Sequence, residues 1–272
     1  YIYFKIFVFL SIFLAKKRSF GLKKLVSLTL ALLFSVFCFG CNNNTNYISA
    51  RYFNTDIYVQ VNGDTLSNDT KSQITSFLSG LEKEFALTDS NSAISRFNQS
   101  TTTNVNLSDD GVIILEKAIA CYNAFDKKFN RALYPISVLW QFSPNYPVEN
   151  FTPPSLEELN SISPLALDFD NVSLDKTQKT LSKLNDSVKI DLGGIAKGYA
   201  SQKVGEMLKE KGYTSGYVSM GSSSLYILKA DSLGIRHPQD KSKLALNVIT
   251  KNLSDFSVST SGGYERFYEF NG

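Results

Sequence analysis

The stretch Lys189 to Ala200, K-I-D-L-G-G-I-A-K-G-Y-A, constrains this chain more than any other, because an apolar strand closes into two glycines and passes directly into a helix. Glycines without side chains let a ligand approach the backbone, and the free N–H groups of a helix start favour an anion. Lys197 falls in the first turn of that helix, where a cation opposes the positive end of the helix dipole. A negative partner is therefore expected beside it. A bare Gly-Gly turn with a solvated lysine would be an ordinary strand-to-helix bend, but Asp191 and Lys197 flanking the glycines make it a phosphate site.

The 272 residues suffice for one large domain or two small ones. The net charge of +3 is unevenly distributed: Lys5, Lys16, Lys17, Arg18, Lys23 and Lys24 all precede Cys41, whereas all 25 acidic residues follow it. The remainder carries 22 basic against 25 acidic groups. This balance argues against nucleic acid as a partner, since binding by counterion release needs a basic surface.

Residues 1–41 read as an export segment. Lys23 and Lys24 precede an apolar run from Leu25 to Gly40, which ends in Cys38-Phe39-Gly40-Cys41 and the polar Asn42-Asn43-Asn44. This resembles a bacterial lipoprotein signal, which implies lipidation of Cys41 and a membrane-anchored, extracytoplasmic protein. The apolar run is short for a spanning helix. The chain starts at Tyr1 with a further apolar stretch, Ile2 to Ala15, and translation is expected to begin near Leu22. With Cys38 removed and Cys41 lipidated, Cys121 is left alone among apolar residues at helical spacing and is expected to be a buried structural thiol.

Residues 42–50 read as a polar tether and residues 51–272 as the folded domain. Ile57, Val59 and Val61 alternate as a strand before Asn62-Gly63. Helices are expected from Asp69 to Phe85, from Asp109 to Phe125 and from Ile195 to Lys211, each with apolar residues three and four apart. Leu133 to Pro164 is rich in proline and aromatic residues and reads as a structured connection, and Leu165 to Leu184 as a hairpin. Strands then dominate, at Gly216 to Met220, Ser224 to Leu228, Leu244 to Thr250, Phe256 to Ser259 and Tyr264 to Phe270. Strands grouped apart from helices predict an α+β fold, with helices packed on a largely antiparallel or mixed sheet.

Four segments in this order carry a family resemblance: Asn91-Ser92-Ala93-Ile94-Ser95-Arg96-Phe97-Asn98, Pro135 to Trp140, Asp191-Leu192-Gly193-Gly194-Ile195-Ala196-Lys197-Gly198, and Ser259-Thr260-Ser261-Gly262 with Tyr264. Together they resemble the ApbE-type FAD:protein FMN transferases over roughly Arg51 to the C-terminus. The resemblance implies a protein that binds FAD and Mg2+, cleaves the pyrophosphate with release of AMP, and attaches FMN to a threonine or serine hydroxyl of a target flavoprotein. It also implies that Asp191 and Lys197 contact FAD and that the backbone carbonyl of Gly194 helps to hold the metal. Lys128, Phe129 and Asn130 align with a family segment that touches the flavin nucleotide, with Asn130 standing where the family has an acidic residue. Thr88 replaces the usual tyrosine of the early loop, and Gly221-Ser222-Ser223-Ser224 replaces a Gly-Gly-Asp turn.

No catalytic base is assigned. His237, the only histidine, lies outside the family's histidine motif, which is nearer the family's C-terminus, so the chain reads as C-terminally truncated. Two other activities fit the same residues: an FAD pyrophosphatase giving FMN and AMP, and a non-catalytic FAD-binding lipoprotein. A passive FMN acceptor is disfavoured because the chain has no Ser/Thr-Gly-Ala-Ser/Thr string.

Overall fold

A computed structural model describes residues 45–99, 104–144, 146–221, 223–240, 242–263 and 266–271. The export segment with Cys38 and Cys41, the start of the tether, Ser222 and Tyr264 lie outside the described residues. In chain order the first elements are β1 (Tyr47–Tyr52), β2 (Thr55–Val61), α1 (Asn68–Phe85), α2 (Ala93–Gln99), β3 (Val105–Asn106) and α3 (Asp109–Ala124). After a 3-10 turn come α4 (Tyr134–Leu139) and α5 (Leu156–Asn160), two further 3-10 turns, and β4 (Val172–Asp175) and β5 (Thr180–Lys183). The long helix α6 (Gly193–Glu210) leads into β6 (Gly216–Met220), β7 (Ser224–Lys229), β8 (Ser232–Arg236), β9 (Leu244–Ile249) and β10 (Ser254–Ser259).

The α+β class is as expected. Among the described residues, a five-stranded antiparallel sheet runs β1-β2-β6-β7-β10, beside smaller sheets β3-β5-β4 and β8-β9. The alternation in β2 puts Ile57, Val59 and Val61 wholly inside, and α6 lays Ala200, Val204 and Leu208 on the same core. Ser67 and Ser108 cap α1 and α3 by accepting the amides of Thr70 and Gly111, which is why both helices begin within a residue of the expected positions.

Several boundaries differ from those read in the sequence. Tyr47 to Ala50, assigned to the tether, belong to β1, because Ile48 is buried and the hairpin with β2 satisfies its backbone groups. The segment Thr88 to Ser92 is followed by the short helix α2, started by the buried Ser92 hydroxyl accepting the Ser95 amide. Only β4 and β5 of the expected hairpin are strands, since Pro164 and Asp168 start 3-10 turns in the first arm. Residues 266–270 are irregular where a strand was expected. Ser232 to Arg236 form β8, which pairs with β9 and was not foreseen. Cys121 is half-buried and unbridged.

Helix α6 sits close on the sheet at Gly205, where an added Cβ would overlap the Tyr226 ring. That ring is also held by its hydroxyl, which donates to Asp255 Oδ1 at 3.3 Å. Gly205→Ala is therefore expected to cost about 1–3 kcal/mol by overpacking. The check is the urea midpoint, which should fall with an unchanged slope; an unmoved midpoint would mean that the helix slides without strain.

Candidate functional site

The residues leading to α6 carry the alternation of a strand: Val188, Ile190 and Leu192 are buried while Lys189 is exposed. They nevertheless join no ladder. The Asn98 side chain takes the place of a neighbouring strand, its Oδ1 accepting the Ile190 amide at 2.8 Å and its Nδ2 donating to the Ile190 carbonyl at 2.9 Å. The Asp191 amide donates to the Arg131 carbonyl at 3.0 Å. Two segments distant in sequence thus fix the extended run, and it is the Asn98 side chain and the Arg131 carbonyl that aim Asp191.

Helix α6 starts at Gly193, two residues before the expected position, so the glycines are its first turn and Lys197 opens the second. Its amino end has no side-chain cap of the ordinary kind. Asp191 Oδ1 instead accepts the Gly193 amide at 2.7 Å, which uses one of the orphan amides and places a carboxylate at the positive end of the dipole. Lys197 reaches back along the helix and donates to the Gly193 carbonyl at 3.0 Å. Burial, and then the nearby charge of Arg266, hold its ammonium below the usual lysine range, with Asp191 opposing the shift.

Arg131 completes the group, and nothing in the sequence reading singled it out. Its guanidinium lies over the Phe129 ring, 4.2 Å from the centroid, and so close to Gly194 that an added Cβ there would overlap Nη1. A side chain at Gly194 would thus displace the end of the Arg131 side chain, and no unusual backbone angle is involved. The Arg131 Nε is buried with no acceptor, and burial lowers the guanidinium's pKa against the pull of Asp191. Tyr134 is also near: burial first, and Asp191 second, raise its phenol above the usual value. Tyr134, Ser95, Asn98 and Lys189 line a cavity of about 350 Å³ beside this bend.

The remaining site candidates are placed differently from one another. Phe129 supports Arg131, whereas Lys128 is exposed. Asn130 spends its side chain locally, with Oδ1 accepting the Ala132 amide at 2.8 Å and Nδ2 donating to the Leu167 carbonyl at 2.6 Å. Thr88 is exposed, while its neighbour Leu87 lines the cavity. His237 organises its own turn, where Nδ1 accepts the amides of Gln239 and Asp240. The tail at 266–271 returns to the aromatic connection: Tyr268 stacks on Phe151 at 3.9 Å and Arg266 lies over Tyr146 at 5.4 Å. This is how Arg266 enters the field felt by Lys197.

For a divalent metal, the donor set here is small. Among the described residues no three His, Cys, Asp or Glu side chains converge. The Gly194 carbonyl that the resemblance implies and the Asp191 carboxylate would give at most two protein oxygens, a set that only an ion keeping its waters and sharing its shell with substrate phosphates, such as magnesium, would accept.

The lysine's shift gives a pH prediction with two opposite signs. In the window between its lowered folded value and the ordinary lysine value, the native state holds fewer protons than the unfolded chain. Stability is expected to rise with pH across that window as the cost of the buried charge is relieved. Anion binding, which needs the ammonium, is expected to fall across the same window. Thermal melts and FAD titrations over an alkaline pH series test both; affinity that holds until the ordinary lysine range, roughly pH 10.4, would contradict it.

Comparison with known proteins agrees with this architecture. The model of the ApbE family matches residues 53–272. A protein of Haemophilus influenzae named FAD:protein FMN transferase is 26% identical over an alignment covering 92% of this chain and 76% of its own length. A protein of the same name from Klebsiella pneumoniae is 26% identical over 58% of this chain, a match that spans about half of its length, 48%. The crystal structure of the ApbE protein from Thermotoga maritima superposes with a TM-score of 0.71 at 23% identity, covering 83% of this chain and 73% of that one.

Proposed function

The chain belongs to the ApbE family, and from that premise we propose that the protein transfers FMN from FAD to a threonine or serine hydroxyl of a target flavoprotein, releasing AMP. The observation that carries this reading is Lys197, a half-buried ammonium folded back onto the Gly193 carbonyl beside Asp191, at a glycine-lined helix start. Among the described residues no carboxylate forms an ion pair with it, so it is available to a phosphate.

In the proposed reaction the acceptor oxygen bonds to the phosphorus of the FMN half while that phosphorus loses its bond to the AMP oxygen; the hydroxyl proton leaves to solvent or a base, and AMP departs. The barrier is charge crowding on the diphosphate, and Lys197 is positioned to neutralise part of it in a partly dry site. Asp191, anchored on the Gly193 amide, fixes the turn that presents Lys197. Magnesium, held by the Gly194 carbonyl, Asp191 and the phosphates, would supply Lewis-acid neutralisation of the same charge. The cavity beside Tyr134 offers the nucleotide a half-enclosed recess next to the turn. Lipidation at Cys41 and an extracytoplasmic location belong to the same proposal and rest on the amino-terminal sequence alone.

The test is incubation of the protein with FAD, Mg2+ and a threonine-bearing acceptor. Flavin fluorescence that stays with the denatured acceptor is the expected result. Free FMN and AMP without labelling would make the protein a pyrophosphatase, and intact FAD would make it a binding protein.

A further inference from the structure

Among the described residues Arg131 has an aromatic ring beneath it but no carboxylate in an ion pair with it. Its side chain makes no hydrogen bond or ion pair among the described residues, and Nε is buried. Asp191, the carboxylate whose field it feels, already has Oδ1 engaged by the Gly193 amide at 2.7 Å. Half-burying a guanidinium in this way is unfavourable unless an anion completes it. A solvated arginine would avoid the cost by swinging outward; this one lies over the Phe129 ring, 4.2 Å from its centroid, and against Gly194. The position is continuous with the bend, since the Arg131 carbonyl accepts the Asp191 amide at 3.0 Å. Two cations from different parts of the chain therefore touch adjacent residues of one turn, Arg131 lying against Gly194 and Lys197 donating to the Gly193 carbonyl.

We propose that Arg131 is a second cationic ligand for a diphosphate at this turn, binding it as a planar fork while Lys197 binds as a point charge. The proposal rests on the function proposed above and deepens it by naming a residue that the family resemblance does not mark. A guanidinium suits this task because its paired N–H groups match two phosphate oxygens, and its weaker hydration lowers the cost of taking it partly out of water. Phe129 acquires a role by the same geometry, as the ring over which the fork lies. Gly194 acquires one as the gap into which the fork fits.

The experiment measures FAD, ADP and riboflavin affinity by titration, together with the melting temperature of the ligand-free protein, for the wild type, Arg131→Met, Arg131→Lys and Gly194→Ala. Methionine keeps an apolar stem on Phe129 and removes the charge. It is expected to weaken FAD and ADP binding by about tenfold or more, the range for a hydrogen bond to a charged group, to leave riboflavin unaffected and to leave the melting temperature equal or higher. Arg131→Lys is expected to restore only part of the loss. Gly194→Ala, which displaces the fork, is expected to resemble Arg131→Met in ADP binding. A lower melting temperature with FAD, ADP and riboflavin affected alike would make Arg131 a packing residue and overturn the proposal. So would unchanged ADP affinity in Arg131→Met, and in that case labelling of an acceptor by the wild type would leave the transfer reading intact. The converse, lost ADP affinity in a protein that never labels an acceptor, would keep Arg131 as a diphosphate ligand and remove the transferase. Absence of FAD and ADP binding by the wild type would remove both.

Discussion

Replacement of Lys197 by alanine should reduce FMN transfer by about 10²–10³-fold, the loss seen when one preorganised group facing developing charge is removed. The fold should survive. Alanine is the better helix former at an interior helical position, and the substitution also removes a half-buried ammonium whose pKa is lowered chiefly by burial. The melting temperature is expected to be equal to the wild type's or higher, so lost activity could not be blamed on unfolding. AMP release measured beside acceptor labelling makes the test complete, because both should fall together if Lys197 acts on the diphosphate. A Lys197→Ala protein that labels its acceptor at the wild-type rate would end the reading of this turn as a phosphate cradle. Riboflavin, which has no phosphate, should bind the variant normally.

The second large effect is expected at Asn98, and it is one of stability first. Its side chain satisfies both the amide and the carbonyl of Ile190, across 92 residues of sequence, and both hydrogen bonds are buried. Asn98→Ala leaves two buried backbone groups unpaired, at about 1–3 kcal/mol each. A loss of roughly 2–6 kcal/mol is expected, or roughly 4–24 °C in melting temperature for a domain of this size. Asn98→Asp keeps the acceptor for the Ile190 amide but faces a carboxylate to the Ile190 carbonyl, so it should recover little. FAD affinity should fall in both variants, because Ile190 immediately precedes Asp191. A melting temperature within a degree or two of wild type would show that water enters and replaces the amide.

Much of this was legible in the sequence where the physics is local. The helices α1, α3 and α6 were found because apolar spacing repeats within a few residues, and β2 because its alternation is strict. The Asn91 to Asn98 and Asp191 to Gly198 segments were both recognised, yet their joining through one amide side chain was not, since nothing local marks Asn98 as the partner of Ile190. The same limit hid β1 within a polar stretch: Ile48 is the only apolar aliphatic residue buried there, and its strand exists by pairing with β2. Arg131 was passed over because a lone arginine after Phe129-Asn130 has the pattern of a solvated base.

By itself, then, the sequence determined the class of the fold, the glycine bend into α6 and the candidates Asp191 and Lys197, because helix periodicity, glycine content and charge at a helix start are properties of neighbours in the chain. Tertiary structure alone decided that Asn98 and the Arg131 carbonyl align the run into the bend, and that a second cation lies against Gly194. Those contacts join residues far apart in sequence, and which distant groups end up adjacent is set by the packing of the whole core.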